Sequence, residues 1–257
     1  MVTPLQGQVA LISGAAKGIG LAVAARLALD GADIVGLDIP GSDFADLSAA
    51  VTGAGRRAEV IEGDVTDPDA WVRAVATATE RFGGLDILIN NAGISGPFAP
   101  IDQYPIEAFD RVIAVNLRGS WLGIRAAVPQ LRLRKGRIVN ISSTAGLGGG
   151  RNTVAYTTSK HAVIGLTKLA AVELADAGIR VNVVCPSPTN TDMTRALEIG
   201  RSPEEIRFIR GRFEANCPMG RYGEPSEIAA AIAFLVSPDS SFVTGAVLSV
   251  DGGVKAK

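Results

Sequence analysis

Short apolar runs, rich in β-branched residues, alternate along the chain with longer segments whose apolar residues have helical spacing. The short runs lie at 9–12, 34–37, 59–62, 87–89, 137–141, 180–184 and 246–250. The helical segments lie at 19–29, 44–52, 68–81, 107–131, 154–175, 191–215 and 225–235. Seven alternations of strand and helix, joined by right-handed crossovers, predict an α/β Rossmann fold: a doubly wound seven-stranded parallel sheet with helices on both faces.

Capping residues support several of these boundaries. Asp67 precedes Pro68, which suits the first position of a helix, and Gly31, Gly83 and Gly178 each follow a helical segment. Glycine is favoured there because the residue after a helix often adopts the left-handed conformation. A chain of 257 residues is short enough for one such sheet, so we expect residues 1–257 to form a single domain.

The composition is that of a globular protein without strong overall charge. The formal net charge is −1, and hydrophobic residues make up 47% of the chain. The densest basic run falls where a helix is predicted to end, and we interpret it as compensation of the helix dipole. It consists of Arg132, Arg134, Lys135 and Arg137. No basic stripe is interleaved with aromatic residues, so a nucleic-acid partner is not expected.

The two cysteines, Cys185 and Cys217, are too few for a disulfide framework and lack metal-ligand spacing. We therefore predict a cytoplasmic protein with buried thiols and no metal site. The first apolar run, at 9–12, is too short for a secretory signal. No run of 18 apolar residues occurs, so a membrane span is not expected.

A glycine-rich turn follows the first predicted strand and leads directly into a helix. It reads Ser13-Gly14-Ala15-Ala16-Lys17-Gly18-Ile19-Gly20. A backbone without side chains can approach a pyrophosphate closely, and the free N–H groups of the helix N-terminus stabilise its charge. The turn therefore favours a dinucleotide site, although an ordinary tight turn can contain similar residues.

The second predicted strand is followed by an acidic residue, Asp38, about twenty residues beyond the glycines. A carboxylate there can accept hydrogen bonds from both adenosine ribose hydroxyls and repels the 2′-phosphate of NADP. The following Ile39 and Pro40 supply no guanidinium for that phosphate. Lys17 is the one residue of the turn that favours NADP, and we consider it weaker than Asp38. The pattern therefore predicts NAD.

Polar residues also follow the third and fourth predicted strands. Asp64 and Val65 come after the third strand, and Asn90-Asn91-Ala92-Gly93 comes at the end of the fourth. Ligands of an open α/β sheet bind outside the carboxyl ends of its strands, so these residues are expected at the rim of the cofactor site. Each motif alone is also typical of a solvated loop.

Ser143, Tyr156 and Lys160 combine the groups that carbonyl reduction needs. Tyr156 and Lys160 are four residues apart in a helical segment and share one face, while Ser143 follows the fifth strand. Hydride addition leaves charge on the carbonyl oxygen, which then takes a proton from a nearby acid. Lys160 and the positive ring of NAD⁺ are expected to lower the pKa of Tyr156 from its usual value of about 10. Ser143 is expected to hydrogen-bond the substrate oxygen.

In order and spacing, these motifs resemble those of the short-chain dehydrogenase/reductase family, over essentially the whole chain. The turn at 13–20 carries part of the resemblance, although the family usually begins it with Thr. The other matching motifs are Asn90-Asn91-Ala92-Gly93, Asn116, Ser143, Tyr156-Thr157-Thr158-Ser159-Lys160 and Asp251-Gly252-Gly253.

The resemblance implies a role for several residues. Asn116 would hold a water that connects Lys160 to bulk solvent, Lys160 would bind the nicotinamide ribose, and Thr191 the nicotinamide carboxamide. Asn90 would contact the adenosine ribose side, and the 64–65 pair the adenine. The implied catalytic set is Asn116, Ser143, Tyr156 and Lys160. The expected cofactor contacts are Gly14, Ala16, Lys17, Gly18, Ile19, Gly20, Asp38, Ile39, Asp64, Val65, Asn90, Ala92, Gly93, Tyr156, Lys160, Pro186, Thr189, Thr191 and Met193.

The chain departs from the family after the sixth strand. It has Cys185-Pro186-Ser187-Pro188 where the family usually has Pro-Gly. Serine in place of glycine is expected to restrict the backbone there.

The resemblance also places substrate recognition in a mobile lid at about 191–215. The expected substrate contacts are Ile94, Ser95, Ser143, Ala145, Tyr156 and Ser187. Most of these are small or apolar, so we expect a neutral secondary alcohol or ketone, cyclic ones included. Family members are commonly tetramers in which the helices at 107–131 and 154–175 pack across two-fold axes, so a homotetramer is expected.

Three other functions fit parts of this pattern. A 3-oxoacyl carrier-protein reductase shares the fold but would usually prefer NADPH and carry a basic residue in place of the Asp38 arrangement. A sugar-nucleotide epimerase or dehydratase shares the Tyr-Lys pair but normally has a longer chain. A non-catalytic dinucleotide sensor would have no reason to keep Asn116, Ser143, Tyr156 and Lys160 together, yet fold alone does not exclude it.

Overall fold

The computed structural model describes residues 3–195 and 202–256, which contain one seven-stranded parallel sheet. Its strands are β1 (Val9–Ser13), β2 (Asp33–Asp38), β3 (Ala58–Glu62), β4 (Ile87–Asn90), β5 (Arg137–Ile141), β6 (Arg180–Pro186) and β7 (Val247–Val250). Their order is β3-β2-β1-β4-β5-β6-β7, and every neighbouring pair is parallel. Strands are added outward in one direction from β1 to β3 and in the other direction from β4 to β7. The switch point between β1 and β4 is where a doubly wound sheet opens its ligand crevice. The predicted Rossmann fold is confirmed.

Helices connect the strands and cover both faces of the sheet. They are α1 (Gly18–Leu29), α2 (Ala45–Gly53), α3 (Pro68–Phe82), α4 (Ile106–Ile113), α5 (Gly119–Arg134), α6 (Val154–Glu173), α7 (Asp192–Arg195), α8 (Pro203–Asn216) and α9 (Pro225–Val236). A π-helix, Ala114–Arg118, joins α4 to α5, and a 3₁₀ turn, Thr144–Leu147, follows β5. None of the described helices is both long and apolar enough to cross a bilayer.

Two apolar layers enclose the sheet, one on each face. Ile12 of β1 and Ile89 of β4 belong to the layer shared with α1, α2 and α9, whereas Leu11 and Leu88 belong to the layer shared with α3, α5 and α6. Successive residues of a strand point to opposite faces, so a sheet covered on both faces needs apolar residues at every position. The continuous apolar runs in the sequence have this cause.

Helix boundaries agree with the capping signals in most places. The Asp67 carboxylate accepts a hydrogen bond from the backbone N–H of Asp69 at 3.0 Å, and Gly83 and Gly178 have left-handed conformations, with φ of 87° and 72°. The predicted long helix at 107–131 is present, with the π-helix inside it.

The single helix predicted over 191–215 is wrong. A new helix, α8, begins after Ser202, whose hydroxyl accepts a hydrogen bond from the N–H of Glu205, while the Glu205 carboxylate accepts one from the N–H of Ser202. This reciprocal capping box, with proline as the next residue, starts a helix rather than continuing one. Residues 196–201 of the predicted lid lie outside the described residues.

Candidate active site

The glycine-rich turn leads from β1 into α1 at the point where the sheet changes direction. Gly14 has a φ of 64°, and a Cβ there would lie 2.9 Å from Cα of Ala92; a Cβ at Gly20 would lie 2.0 Å from the carbonyl oxygen of Gly14. Both positions therefore exclude a side chain. Lys17 is the N-cap residue of α1, and no described side chain caps the helix or places an acidic group in its first turn. The first N–H groups of α1 can thus hold an anion.

Asn91 and Ser13 connect this turn to the end of β4. The Asn91 amide donates to the carbonyl oxygens of Ser13, at 3.0 Å, and Gly14, at 2.9 Å. In return, the Ser13 hydroxyl accepts hydrogen bonds from the backbone N–H groups of Asn91 and Ala92. This role of Asn91 was not predicted from the sequence, although its place in the Asn-Asn pair at the end of β4 is a signal for it.

Asp38 ends β2 and lies directly beside the turn. Its carboxylate accepts hydrogen bonds from the N–H groups of Ala16 and Ile39, both at 2.9 Å. Carboxylate oxygens have further lone pairs, so these bonds leave acceptors for a ribose diol. Lys17 extends toward α7 instead, with Nζ 3.6 Å from the Asp192 carboxylate, and both side chains are exposed.

Asp64 and Val65 follow β3 at the same edge. The Asp64 carboxylate accepts hydrogen bonds from Thr66 and, at 2.7 Å, from the Arg111 guanidinium. Burial raises the pKa of this carboxyl, but the hydrogen bonds from Arg111 and Thr66 outweigh it, and the pKa is lowered overall. Val65 is buried, and its carbonyl oxygen accepts a hydrogen bond from the Trp71 indole at 2.9 Å.

The Asn90 side chain takes part in the packing of the sheet. Its side chain is buried in the sheet and donates to Oδ1 of Asn140 at 2.8 Å and to the carbonyl oxygen of Ser120 at 3.2 Å. Alternation along β4 turns residue 90 toward α5, away from the rim where a ribose would lie. The Asn90 amide nitrogen thus links β4, β5 and α5, while its buried Oδ1 has no partner among the described residues, and its contact with the adenosine ribose stays a prediction.

The catalytic trio is assembled by β5 and α6. Nζ of Lys160 donates to the carbonyl oxygen of Ile141 at 2.9 Å and lies 5.6 Å from the centre of the Tyr156 ring. Ser143, two residues beyond Ile141, accepts a hydrogen bond from the N–H of Ala145 at 3.1 Å and is hydrogen-bonded to the Tyr156 side chain. The three side chains predicted to act together therefore meet at the carboxyl end of β5.

Burial shifts the protonation of both titratable members of the trio. Desolvation lowers the pKa of Lys160 to about 8. Desolvation also raises the pKa of Tyr156 from its usual value, against a smaller lowering by the hydrogen bond with Ser143. The lowering expected from Lys160 together with the positive ring of NAD⁺ is therefore not seen in the chain alone, and it stays a prediction for the complex with NAD⁺.

Asn116 lies in the middle of the π-helix. Its Oδ1 accepts a hydrogen bond from the N–H of Ile94 at 2.8 Å, and its amide donates to the carbonyl oxygen of Ile94 and to the Ser159 hydroxyl, both at 3.0 Å. The amide donors of Asn116 are thus used within the protein. Its backbone carbonyl oxygen accepts a hydrogen bond from the Ser120 hydroxyl at 2.8 Å.

Ser159 is a further member of this network that the sequence analysis did not assign. It is fully buried, receives the bond from Asn116 and donates to the carbonyl oxygen of Tyr156 at 2.7 Å. A Cβ at Gly93 would lie 3.2 Å from Oδ1 of Asn116 and 3.4 Å from Nζ of Lys160. The end of β4, the π-helix and α6 thus converge at one point.

The loop after β6 approaches the glycine turn. The Thr191 methyl lies 3.4 Å from where a Cβ at Gly18 would be, and Thr189 is held by the hydroxyl of Thr194 at 2.7 Å. Ser187 does not need the conformation of a glycine, because Lys135 and Asn152 are the non-glycine residues with positive φ in the described chain. Serine is therefore accommodated at this position without left-handed strain.

The remaining predicted residues border the same edge or lie apart from it. Half-buried or exposed side chains flank the trio and the turn: Ile94, Ser95, Ala145, Ser187 and Met193. His161 is exposed and pairs with the carbonyl oxygen of Thr157, away from Lys160. Cys185 and Cys217 are buried, as predicted. The described residues contain no group of three or more potential metal ligands.

Comparisons with known proteins show which family the chain belongs to. A family model described as "Enoyl-(Acyl carrier protein) reductase" matches residues 14–255. The trans-4-hydroxycyclohexanecarboxylate dehydrogenase of Sinomonas cyclohexanicum is 41% identical, over 97% of this chain and 93% of its own. The crystal structure of levodione reductase superposes with a TM-score of 0.94, at 36% identity, covering 98% of this chain and 99% of the other.

A third comparison concerns a structure solved with a cofactor. NAD⁺-bound xylitol dehydrogenase superposes with a TM-score of 0.91, at 37% identity, over 97% of this chain and 99% of its own. These matches extend over nearly the full length of each protein. The chain belongs to the short-chain dehydrogenase/reductase family.

Proposed function

We propose that this protein is an NAD-dependent oxidoreductase that interconverts a secondary alcohol on a carbon ring and the corresponding ketone. The observation that carries the proposal is the cluster of Ser143, Tyr156 and Lys160 at the sheet edge that also holds the glycine turn and Asp38. Hydride exchange with a carbonyl carbon needs one group that moves a proton and one that positions the oxygen, and Tyr156 and Ser143 have that chemistry.

The residues around the crevice fit a dinucleotide. The uncapped N-terminus of α1 would take the pyrophosphate, and Asp38 would take the adenosine ribose, where its charge disfavours a 2′-phosphate. The nicotinamide would lie between Thr189 and Thr191 on one side and the π-helix at Ala114–Arg118 on the other. When bound, NAD supplies the hydride acceptor and a positive ring. The NAD⁺-bound state of the similar xylitol dehydrogenase supports this choice of cofactor.

Tyr156 would transfer the proton of the substrate hydroxyl. Ser143 Oγ, hydrogen-bonded to Tyr156, would hold the substrate oxygen beside the phenol. Burial raises the pKa of Tyr156 in the chain alone, so the phenol is a proton donor there, as ketone reduction requires. Alcohol oxidation requires the phenolate, and positive charge near the ring would favour it. Lys160 would exchange its proton with solvent through a water on the carbonyl oxygen of Asn116.

The proposed substrate class rests on the relatives and on the neighbouring side chains. One similar protein is named for a hydroxycyclohexane carboxylate and another for levodione. Ala145 and Leu147 follow Ser143 in the 3₁₀ turn, and Ile94 contacts Asn116; we expect their apolar surface to suit a carbon ring better than a polyol. The lid at 191–215 would complete this surface.

The same proposal includes assembly and location. We propose a cytoplasmic protein, in keeping with its two free cysteines. We also propose that it forms a homotetramer, because α5 and α6 expose large apolar side chains. Trp121 is 46% exposed, Leu169 56% and Val172 79%. Burial of such side chains against a second copy would remove apolar surface from water. Sedimentation velocity would test the assembly.

A substrate panel tests the proposed activity. The enzyme is mixed with NAD⁺ or NADP⁺ and with cyclic secondary alcohols, and NADH or NADPH formation is followed by absorbance. Open-chain secondary alcohols of equal carbon number are the matched controls. We expect the highest kcat/KM for a ring alcohol with NAD⁺. Tight NAD binding without turnover of any alcohol or ketone would instead indicate a dinucleotide sensor.

A further inference from the structure

Two arginines occupy directly paired positions at the amino ends of neighbouring strands. Arg137 begins β5, Arg180 begins β6, and the two are partners in the parallel register. Paired residues of neighbouring strands point to the same face, and like charges in such pairs are destabilising. Burial lowers the pKa of both guanidinium groups, and Arg137 lowers that of Arg180 further. The fold therefore keeps two positive charges together at some cost in stability.

The hydrogen bonds of Arg180 satisfy carbonyl groups of the protein. Its Nη1 donates to the carbonyl oxygens of Leu235, at 2.9 Å, and Val243, at 3.1 Å, and its Nη2 donates to that of Ser237 at 3.1 Å. These bonds offset the partial negative charge of the carbonyl groups at the C-terminus of α9, which would otherwise repel an anion here.

Arg137 is less occupied. Its Nη1 donates to the Gln8 amide at 3.0 Å, and its other guanidinium donors have no hydrogen-bond partner within 3–195 and 202–256. A guanidinium has five donors, so Arg137 has several to offer to a ligand.

A cavity of about 330 Å³ opens at these arginines. Lys135 also lines it, and its stem lies across the Gly178 turn, with Cγ 3.2 Å from where a Cβ at Gly178 would be. Ser241 and Thr244 add hydroxyls to the wall. The Thr244 oxygen accepts a hydrogen bond from the N–H of Val181, which leaves its hydrogen to donate. The wall thus presents an ammonium, guanidinium groups and hydroxyls to one space.

No carboxylate lines the cavity within the described residues. The acid that acts on Arg137 is Asp86, whose Oδ2 accepts a hydrogen bond from the N–H of Val9 at 2.9 Å and whose Oδ1 lies 3.9 Å from Arg134. Asp86 is therefore shared with partners outside the cavity. Asp86 therefore neutralises only part of the positive charge of the wall.

We propose that this cavity binds a phosphate group, either inorganic phosphate or the phosphate of a small monoester. A tetrahedral dianion accepts hydrogen bonds from several directions, which suits donors on strands, a helix end and a loop. The cavity lies at the amino ends of β5 and β6, whereas the catalytic cluster lies at the opposite, carboxyl edge of the sheet. Its ligand would be separate from substrate and cofactor.

Calorimetric titration of inorganic phosphate tests the proposal. The protein is first saturated with NADH, so that phosphate cannot occupy the glycine turn, and sodium chloride holds the ionic strength constant. Lys135→Gln and Arg137→Gln each remove one charge from the cavity wall. Arg132→Gln, in the same basic run but outside the wall, is the control of equal charge change.

We expect saturable phosphate binding by the wild-type protein and by Arg132→Gln, and about tenfold weaker binding by each wall variant. NADH affinity should be unchanged in all four proteins, so a failure here would be distinct from a failure of the proposed activity. Stronger binding of glycerol phosphate than of inorganic phosphate would identify a monoester as the ligand. Absence of saturable phosphate binding, or equal affinity in wild type and both wall variants, would overturn the proposal.

Discussion

The catalytic cluster and the cofactor rim lie at the same edge of the sheet but are held together differently. In the cluster, Asn116, Ser159 and Lys160 are buried, and their side chains bond to backbone groups or to one another. At the rim, Lys17 and Asp192 are exposed and form a long ion pair through solvent-accessible atoms. The cluster is therefore held by buried hydrogen bonds without a ligand, whereas this part of the rim is held by a weak surface ion pair.

This difference sets the expected size of substitution effects. A buried group that loses its partner costs about 1–3 kcal/mol, whereas an exposed ion pair contributes about 0–1 kcal/mol. Substitutions in the cluster should therefore reduce activity or stability severely. The effect of a substitution at the rim should depend on how directly that residue would contact the cofactor.

The largest effect is expected for Tyr156→Phe, which keeps the ring and removes the acid. We expect kcat to fall by about 10²–10⁴, the usual contribution of general acid–base catalysis, with NAD affinity within about twofold of wild type. The measurements are NADH formation on the best ring alcohol and fluorescence titration with NADH. Tyr104→Phe is the matched control, because its buried hydroxyl has no partner among the described residues. Equal losses in the two variants would contradict the assignment of Tyr156.

Lys160→Met should abolish turnover while changing stability in a pH-dependent way. The folded chain lowers the pKa of Lys160 from 10.5 to about 8, which corresponds to roughly 3 kcal/mol of destabilisation at neutral pH. Between these two values the unfolded state binds more protons, so this contribution to stability rises with pH across that window.

The test is urea unfolding of Lys160→Met and wild type at pH 7 and pH 10. The stability of wild type relative to the variant should increase with pH. The Ile141 carbonyl loses its donor in the variant, which offsets part of its gain at pH 7. A difference between the two proteins that does not change with pH would show that Lys160 is not desolvated.

Asp38→Ala should have an intermediate effect, confined to the cofactor. The variant loses the acceptor proposed for the ribose and the charge that repels a 2′-phosphate, so we expect the ratio of kcat/KM for NAD⁺ to that for NADP⁺ to fall by about tenfold or more. Activity with each cofactor on one alcohol gives the ratio. Asp43→Ala, a nearby carboxylate whose bond is local, is the control. An unchanged ratio in Asp38→Ala would refute its role in cofactor choice.

The smallest effect is expected for Lys17→Gln. Its ion pair with Asp192 is exposed at both ends, so KM for NAD⁺ should change by less than about fivefold. The change should diminish further as salt is raised. A loss as large as that of Asp38→Ala would show that the rim is as tightly organised as the cluster.

The sheet, the glycine turn and the catalytic trio were predictable because each depends on a local pattern. The apolar runs reflect burial on both faces, and the four-residue spacing of Tyr156 and Lys160 places them on one helix face. The family, the fold and the reaction class predicted from these patterns agree with the comparisons.

Other features depend on contacts between distant segments and left no readable pattern. The roles of Asn91 and Ser159 follow from partners many residues away or from the π-helix, and the orientation of Asn90 follows from where β4 begins to alternate. The direction in which the pKa of Tyr156 shifts depends on how completely the protein buries the phenol. The start of α8 was readable in Ser202, Pro203 and Glu205, but the apolar spacing obscured it.

The π-helix at Ala114–Arg118 makes the geometry of the site depend on the number of residues in that turn. A wider turn accommodates one residue more than a regular helix would, so deletion of a single residue there would restore α-helical winding. The flanking helices would keep their faces, but the carbonyl oxygen of Asn116 would return to the i→i+4 hydrogen-bond pattern of a regular helix. This position is therefore sensitive to the number of residues in the turn, and a deletion could inactivate the protein with every side chain of the trio still present.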